Sequence, residues 1–494
     1  MTLDDLARPE RDAETPDSPE TPDSPDSPDS SDSAKRPRGW AALRPLVLRL
    51  HFYAGVLVAP FLLVAALSGL LYALSYQAEK VVYAHELEVP VPDGATALPL
   101  SRQVEAARAA NADGTVTAVW PGAEPGATTR VLMADPDAPE GSSTAVFVDP
   151  YTGEIRGQLP SYGSTGALPL RTWISRLHVD LHLGDFGRNY SELAAAWLWV
   201  VALGGLLLWV GRRRRNRRDL FLPERGPKSR RRTLSWHGAV GLWAVTGLVA
   251  LSATGLTWSK YAGENIGAVQ DRLGGATPSL SAGLAGGAAG GEHAGHGDGH
   301  HPAPPTAAQG ADIGIDKAVE AARAAGIDSP SISVAPPAEG AGYVVKETDK
   351  QFPVQLDSVA LNPADGAVLD RLRFAEYPLL AKLTRIGIDA HMGLFLGLVN
   401  QLALAALALA LVLLIVWGYR MWWLRRPGRP VARGAWRKVP PTMLLPLLAV
   451  TALVGWFLPL LGISLAAFLV VDLALALVAK ARARARARAG APTA

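Results

Sequence analysis

Apolar residues in this chain gather into long stretches separated by polar segments. A helix needs about 20 apolar residues to cross the hydrocarbon core of a bilayer. Six stretches reach or approach that length: Val47–Tyr76, Leu193–Val210, Trp236–Trp258, Phe395–Trp417, Thr442–Leu458 and Ile463–Val478. The last two are short and only Pro459 to Gly462 separates them, which predicts a tight helical hairpin. Two long polar segments change the period. Each opens with an amphipathic helical pattern (Ser101–Ala110; Asp316–Ala325) and continues in short alternating runs. The runs are Thr115–Val119, Thr129–Met133 and Thr144–Val148 in the first segment, and Ser331–Val334, Tyr343–Glu347 and Val354–Leu361 in the second. A helix on a small antiparallel sheet is the economical reading. Asp149-Pro-Tyr-Thr-Gly153 predicts a turn, because Pro presets φ and Gly permits positive φ.

Charge orients the spans. Arg44 and Arg49 flank the first, Arg212 to Arg218 follow the second, and Arg230 to Arg232 precede the third. Arg425, Arg426, Arg429 and Arg433 follow the fourth, Arg437 and Lys438 precede the fifth, and Lys480 to Arg488 end the sixth. Basic clusters at every second boundary place both termini in the cytoplasm of a multi-pass protein of the cell membrane, with loops 77–190 and 260–385 outside. A buried soluble core does not explain that spacing. Residues 1–33 carry eleven acids against two bases, too polar to bury a core, and predict a disordered tail.

Similar residues recur in the same order in both halves. His51-x-x-x-Gly55 matches His237-x-x-x-Gly241, and Ser68-Gly69-Leu70 falls on Thr254-Gly255-Leu256. Val104 to Ala110 recurs as Val319 to Ala325, and Val148-Asp-Pro-x-x-Gly153 as Leu361-Asn-Pro-x-x-Gly366. Asp180-x-His182-x-Gly184-x-Phe186 matches Asp389-x-His391-x-Gly393-x-Phe395. The expected fold is a membrane all-α helical bundle of six spans, a tandem parallel repeat with two small α+β extracytoplasmic domains. The predicted division is an acidic tail (1–40), span one (41–80), outer domain one (81–168), span two (169–211), a basic loop (212–232) and span three (233–262). A Gly/Ala/His-rich linker (263–310), outer domain two (311–378), span four (379–420), a terminal hairpin (440–480) and a basic tail (481–494) complete it. Domains of about 80 residues lie near the lower limit for an independent core, so packing on the bundle or on each other is expected.

The His-x-x-x-Gly helix starts, the Asp-x-His-x-Gly segments and the helix-plus-strands domain closing in Asp-Pro-x-x-Gly together resemble the PepSY-associated transmembrane family over about residues 44–425. The resemblance implies PepSY-like outer domains. Some members of that family are inner-membrane ferric-siderophore reductases with two b-type haems between their helices.

Ten histidines sort against this frame. His51 and His237 fall at the cytoplasmic ends of spans one and three, His182 and His391 at the outer ends of spans two and four. Ionisable residues at membrane helices are functional by default. Parallel repeats put equivalent residues at equal depth across the pseudo-twofold axis, so His51 and His237 can share one site and His182 and His391 another. Each pair suits a bis-His haem b. Gly55 and Gly241, one turn on, would leave room for a flat macrocycle. Boundary histidines also snorkel to headgroups or cap helices. His178 has no partner, because Gly387 stands at its repeat position, and reads as a surface or auxiliary residue. His182 precedes the cytoplasmic arginines by about 28 positions, roughly 40 Å of helix, which sets the two sites at opposite faces.

His293, His296, His300 and His301 cluster among Gly, Ala and Pro. They read equally well as a weak copper or zinc site or as a solvated linker. The absence of cysteine excludes disulfides, iron–sulfur clusters and thiol catalysis. With no dinucleotide fingerprint, P-loop, HExxH or GxSxG, electrons would come from quinol or a protein donor. The arginine runs mark topology and contact with the lipid bilayer; nucleic acid is not an expected partner. Three functions stand at this point: reduction of ferric iron or a ferric-siderophore outside the membrane, non-enzymatic binding or regulation of a peptidase, and copper or zinc handling.

Overall fold

The computed structural model describes residues 39–135, 141–212, 217–225, 229–284, 312–424 and 439–489. In chain order, α1 (Trp40–Leu57) leads into α2 (Ala59–Val82), the single turn α3 (Ala84–Leu87) and α4 (Leu100–Ala110). Strands β1 (Thr115–Trp120), β2 (Thr129–Ala134), β3 (Ser142–Val148) and β4 (Ile155–Tyr162) follow. Next come α5 (Pro169–Val179), α6 (Asp185–Val210), α7 (Arg218–Phe221), α8 (Arg230–Leu256), α9 (Lys260–Arg272) and α10 (Gly314–Ala324). The chain continues with β5 (Ile332–Ala335), β6 (Tyr343–Glu347), β7 (Ser358–Leu361) and β8 (Val368–Leu372). It closes with α11 (Leu379–His391), α12 (Gly397–Trp423), α13 (Pro441–Phe457) and α14 (Pro459–Ala489).

Among the described residues, five helices are long and apolar enough to cross a membrane: α2, α6, α8, α12 and the Pro459–Ala485 part of α14. α13 is apolar but shorter. The expected first span departs from the sequence reading, because it divides at Val58 into α1 and α2. Pro60 sits in the first turn of α2, where its missing N–H costs nothing. His51 therefore rides on α1. The expected hairpin forms with only Leu458 between α13 and α14. A Cβ on Gly462 would lie 2.3 Å from the Gly455 carbonyl oxygen, so glycine is required at that crossing.

α6 packs on α8, α8 on α12 and α12 on α2, while α1 lies against α6. Lipid is as apolar as leucine, so close packing rather than water exclusion holds such helices together. The buried positions accordingly include many small residues, among them Ala54, Ala59, Ala194, Ala196 and Ala244, with Trp197, Leu248 and Leu414 filling between them. Leu402, Val399 and Trp243 remain exposed, as lipid-facing positions should be. An ion pair between Arg49 and Asp472 and a 2.9 Å hydrogen bond from Trp197 Nε1 to Ser464 Oγ fasten α14 to α1 and α6.

Outside the helices the picture is not all-α. The two polar segments build one eight-stranded antiparallel sheet, ordered β4-β3-β2-β1-β5-β6-β7-β8. The seam is the β1–β5 pair, with Val119 opposite Val334 and both fully buried. Trp120 Nε1 donates to Ser333 Oγ across it at 2.9 Å. α4 and α10 cover one face, where Val104, Ala107, Val131, Met133 and Val146 form one cluster and Ala318, Ala322, Val345 and Val359 another. Ile315 packs against both clusters. On the other face Leu132, Phe147 and Leu168 pack with Tyr83 and Leu87, just beyond the end of α2, which seats the sheet on the helices. The expected turns form: Gly153 and Gly366 adopt φ of 78° and 75°, and donate to Asp149 O and Asn362 O.

Candidate functional site

His51 and His237 meet as the repeat reading expects. Their ring centroids lie 6.3 Å apart with planes at 75°. His51 Nδ1 bonds the Val201 carbonyl on α6, and His237 Nδ1 bonds the Leu414 carbonyl on α12, both at 3.0 Å. A carbonyl oxygen only accepts, so each Nδ1 carries the proton and each Nε2 keeps a lone pair. The glycine beside this pair is not the one expected. A Cβ on Gly55 would meet nothing within 4 Å, and one on Gly241 only Leu414 at 3.6 Å. Gly205 on α6 is the tight position, where a Cβ would stand 2.9 Å from His51 Cε1.

At the sheet end the expected pairing of His182 with His391 does not form. His182 is exposed, at φ 56°, with its ring 5.0 Å from that of Trp173. Its backbone N–H donates to Asp180 Oδ1 at 2.8 Å, closing a turn just beyond α5. His178, one turn back on α5, lies within electrostatic reach of His391 instead. Its Nδ1 lies 2.9 Å from Ser68 Oγ on α2. His391 Nδ1 lies 2.7 Å from Thr254 Oγ1 on α8. Both hydroxyls spend their own hydrogen on a helix carbonyl, Val64 O at 2.8 Å and Ala250 O at 2.7 Å. They must therefore accept from the imidazoles, which again leaves each Nε2 with a lone pair. Backbone fits closely under both rings: a Cβ on Gly69 would lie 3.2 Å from His178 Cε1, and one on Gly255 3.5 Å from His391 Cε1. The Trp258 ring meets His391 edge-on at 5.6 Å.

The repeat alignment missed His178 because it counts residues, whereas the site depends on helix phase. α5 stops at Val179, while α11 runs on to His391. The available signal was amphipathicity, since His178 follows the buried Ile174 by four residues on one face of α5. Ser68-Gly69 and Thr254-Gly255 do serve equivalent histidines, as their alignment suggests. Each lies seventeen residues beyond its inner histidine, His51 or His237. On α8 that is about 25 Å of helix, so the two levels stand closer than the 40 Å reckoned from His182.

Above the sheet-end pair lies a charged cluster. Glu79, near the end of α2, accepts from Arg171 Nε at 2.7 Å and from Leu168 N at 2.8 Å, all buried. Arg385 and Asp389, one turn apart on α11, pair at 3.1 Å, and Asp389 Oδ1 is buried without a hydrogen-bond partner. Lys350, in the β6–β7 loop, lies near Arg385, Asp389 and Arg171, and burial holds its amine down at about 8. Arg130 on β2 lies near Arg171 and Glu79, and burial lowers its guanidinium to about 10.

Which groups fit follows from the donors. Among the described residues no cluster of three or more His, Cys, Asp or Glu side chains could hold a metal ion. A bare zinc wants about four such ligands. Two imidazoles would suffice as protein ligands for a haem iron. The inner rings, with centroids 6.3 Å apart, would leave room for such an ion between them. His293, His296, His300 and His301 lie outside the described residues.

No curated protein matches this sequence. The profile of the PepSY-associated TM region matches residues 48–425, which take in both histidine pairs and the whole sheet. The chain is a membrane protein, and it belongs to the PepSY-associated TM region family.

Proposed function

We propose that this protein carries electrons across the membrane through two b-type haems, reducing ferric iron or a ferric-siderophore on the side of the sheet. One haem is assigned to His51 and His237, the other to His178 and His391. The observation that carries the reading is the common state of all four imidazoles. Each gives its Nδ1 proton to a fixed acceptor and keeps Nε2 for coordination. A bound haem supplies a one-electron couple. The protein supplies the orientation: backbone carbonyls hold the inner ligands and helix hydroxyls the outer ones, each fixing tautomer and raising basicity. Trp258 beside His391 and the bundle around His51 limit water at the ligands. Reduction of a ferric chelate takes one electron and needs no nucleophile or general base.

The reading places the termini in the cytoplasm and the sheet outside, with the halves as parallel repeats of PepSY-like units. Protein purified after expression with ample haem should show a low-spin b-type spectrum with two haems per chain. His51→Ala and His237→Ala should each remove the same haem. A colourless protein sinks the proposal.

A further inference from the structure

The charges above the outer histidines do not balance. Glu79 neutralises Arg171 and Asp389 neutralises Arg385, which leaves Arg130 and Lys350. Arg130 has a hydrogen bond to Gly166 O at 3.3 Å and the Phe147 ring at 5.4 Å, neither of them a counter-charge. Among the described residues no hydrogen bond or ion pair holds the Lys350 ammonium. Buried charge without a partner is costly. Both groups show that cost, Lys350 falling to about 8 and Arg130 to about 10 through burial. Two surplus cations in one partly buried cluster call for an anion of two charges.

Placement says where that anion sits. Arg171 precedes His178 on α5 by seven residues, two turns along the same face. Arg385 precedes His391 on α11 by six residues. Each histidine-bearing helix thus carries its arginine toward the sheet, about 10 Å from the imidazole along the axis. Lys350 reaches the same cluster from the β6–β7 loop.

Resting on the two-haem reading, we propose that this cluster seats the two propionate carboxylates of the outer haem, with Lys350 and Arg130 supplying the uncompensated charge and the free edge of Arg385 a further donor. A propionate and a free ferric tricarboxylate chelate share the same chemistry, and the test must separate them.

The test uses full-length protein carrying His51→Ala and His237→Ala, so that only the outer site reports. It is titrated with haemin and with haemin dimethyl ester, and the low-spin Soret band is followed. Haemin should bind at least about tenfold more tightly than the ester, the size expected when a charge-assisted bond is lost. Lys350→Met should bring haemin to the level of the ester and leave the ester unchanged, while Lys350→Arg should keep the preference. Equal binding of both forms, with no effect of Lys350→Met, overturns the proposal. So does unchanged haemin retention in Lys350→Met together with loss of ferric citrate binding, which would assign the seat to substrate. If neither form yields a low-spin spectrum in the parent, the haem reading itself has failed.

Discussion

The sharpest consequence of the proposed assignment is that His178, not His182, completes the outer site. His182 is exposed and its ring lies 5.0 Å from that of Trp173. Replacing it by alanine should change stability by no more than about 0.5 kcal/mol, as for other surface sites. The spectrum should not move. His178→Ala removes a ring packed on Gly69, together with its bond to Ser68. The hydrogen bond contributes about 1 kcal/mol and the cavity adds to that, for a total near 2–3 kcal/mol. Retention should suffer more than stability, because one of the two imidazoles that would hold the outer haem is gone. Ser68→Ala grades the effect: the ligand stays but loses its orienting acceptor, which should weaken retention about 10- to 100-fold. Haem content by pyridine haemochrome, with reduced-minus-oxidised spectra, measures all three. Wild-type protein and His182→Ala should hold two haems, His178→Ala and His391→Ala one each, and Ser68→Ala a partly filled outer site. A His182→Ala variant with one haem beside a His178→Ala variant with two would refute the assignment.

Two further outcomes test the surroundings of the sites. Gly205→Ala should disturb the inner haem alone, because the new Cβ would stand 2.9 Å from His51 Cε1 while Nδ1 is pinned to Val201 O; an unaltered inner-haem spectrum, or a change confined to the outer haem, counts against this. Glu79→Gln should destabilise the protein by about 3–5 kcal/mol by leaving Arg171 uncompensated, with Arg171→Met restoring part of the loss in the double variant; thermal unfolding in detergent reads it, and a loss below about 1 kcal/mol would show the ion pair to be dispensable.

Much of the fold was legible because membrane spans and turns declare themselves locally. Twenty apolar residues between arginines read as a span whatever surrounds them, and Asp149-Pro-Tyr-Thr-Gly153 carries its own turn chemistry. The β1–β5 seam was not legible. It rests on a pairing between Val119 and Val334, more than two hundred positions apart, in strands that would look the same in two separate domains. The edge strands β4 and β8 were missed for a different reason. Arg156, Gln158, Pro160, Asp370 and Arg371 break the apolar alternation, as suits edges that must not recruit a further strand. At the inner site the histidines were found by repeat position, and they meet. At the outer site the same rule failed, because Asp180 ends α5 in a turn where Asp389 continues α11, and a helix that stops three residues early turns a different side chain inward.

These two outcomes bear on what the sheet is for. Each histidine pair draws one imidazole from each half of the chain, so neither site exists unless the halves are held in register. At the inner level membrane packing does this, since the carbonyls that hold His51 and His237 belong to α6 and α12, inside the bundle. At the outer level the two histidines ride on α5 and α11, short helices whose positions depend on what lies above the bundle. α5 follows directly from β4 and is tied by Arg171 to Glu79. α11 follows β8, and the β6–β7 loop reaches the segment between α11 and α12, with Phe352 N donating to Phe395 O at 2.8 Å. β4 and β8 are the two edges of one sheet, and the β1–β5 seam at its centre fixes one edge relative to the other. Gln77 and Gln401, joined at 2.9 Å between α2 and α12, repeat that link one layer lower. A continuous sheet is therefore the element that sets the distance between His178 and His391. Two separate outer domains on flexible joints would leave that distance undefined, and with it the pairing of His178 with His391 on which the proposed haem site depends.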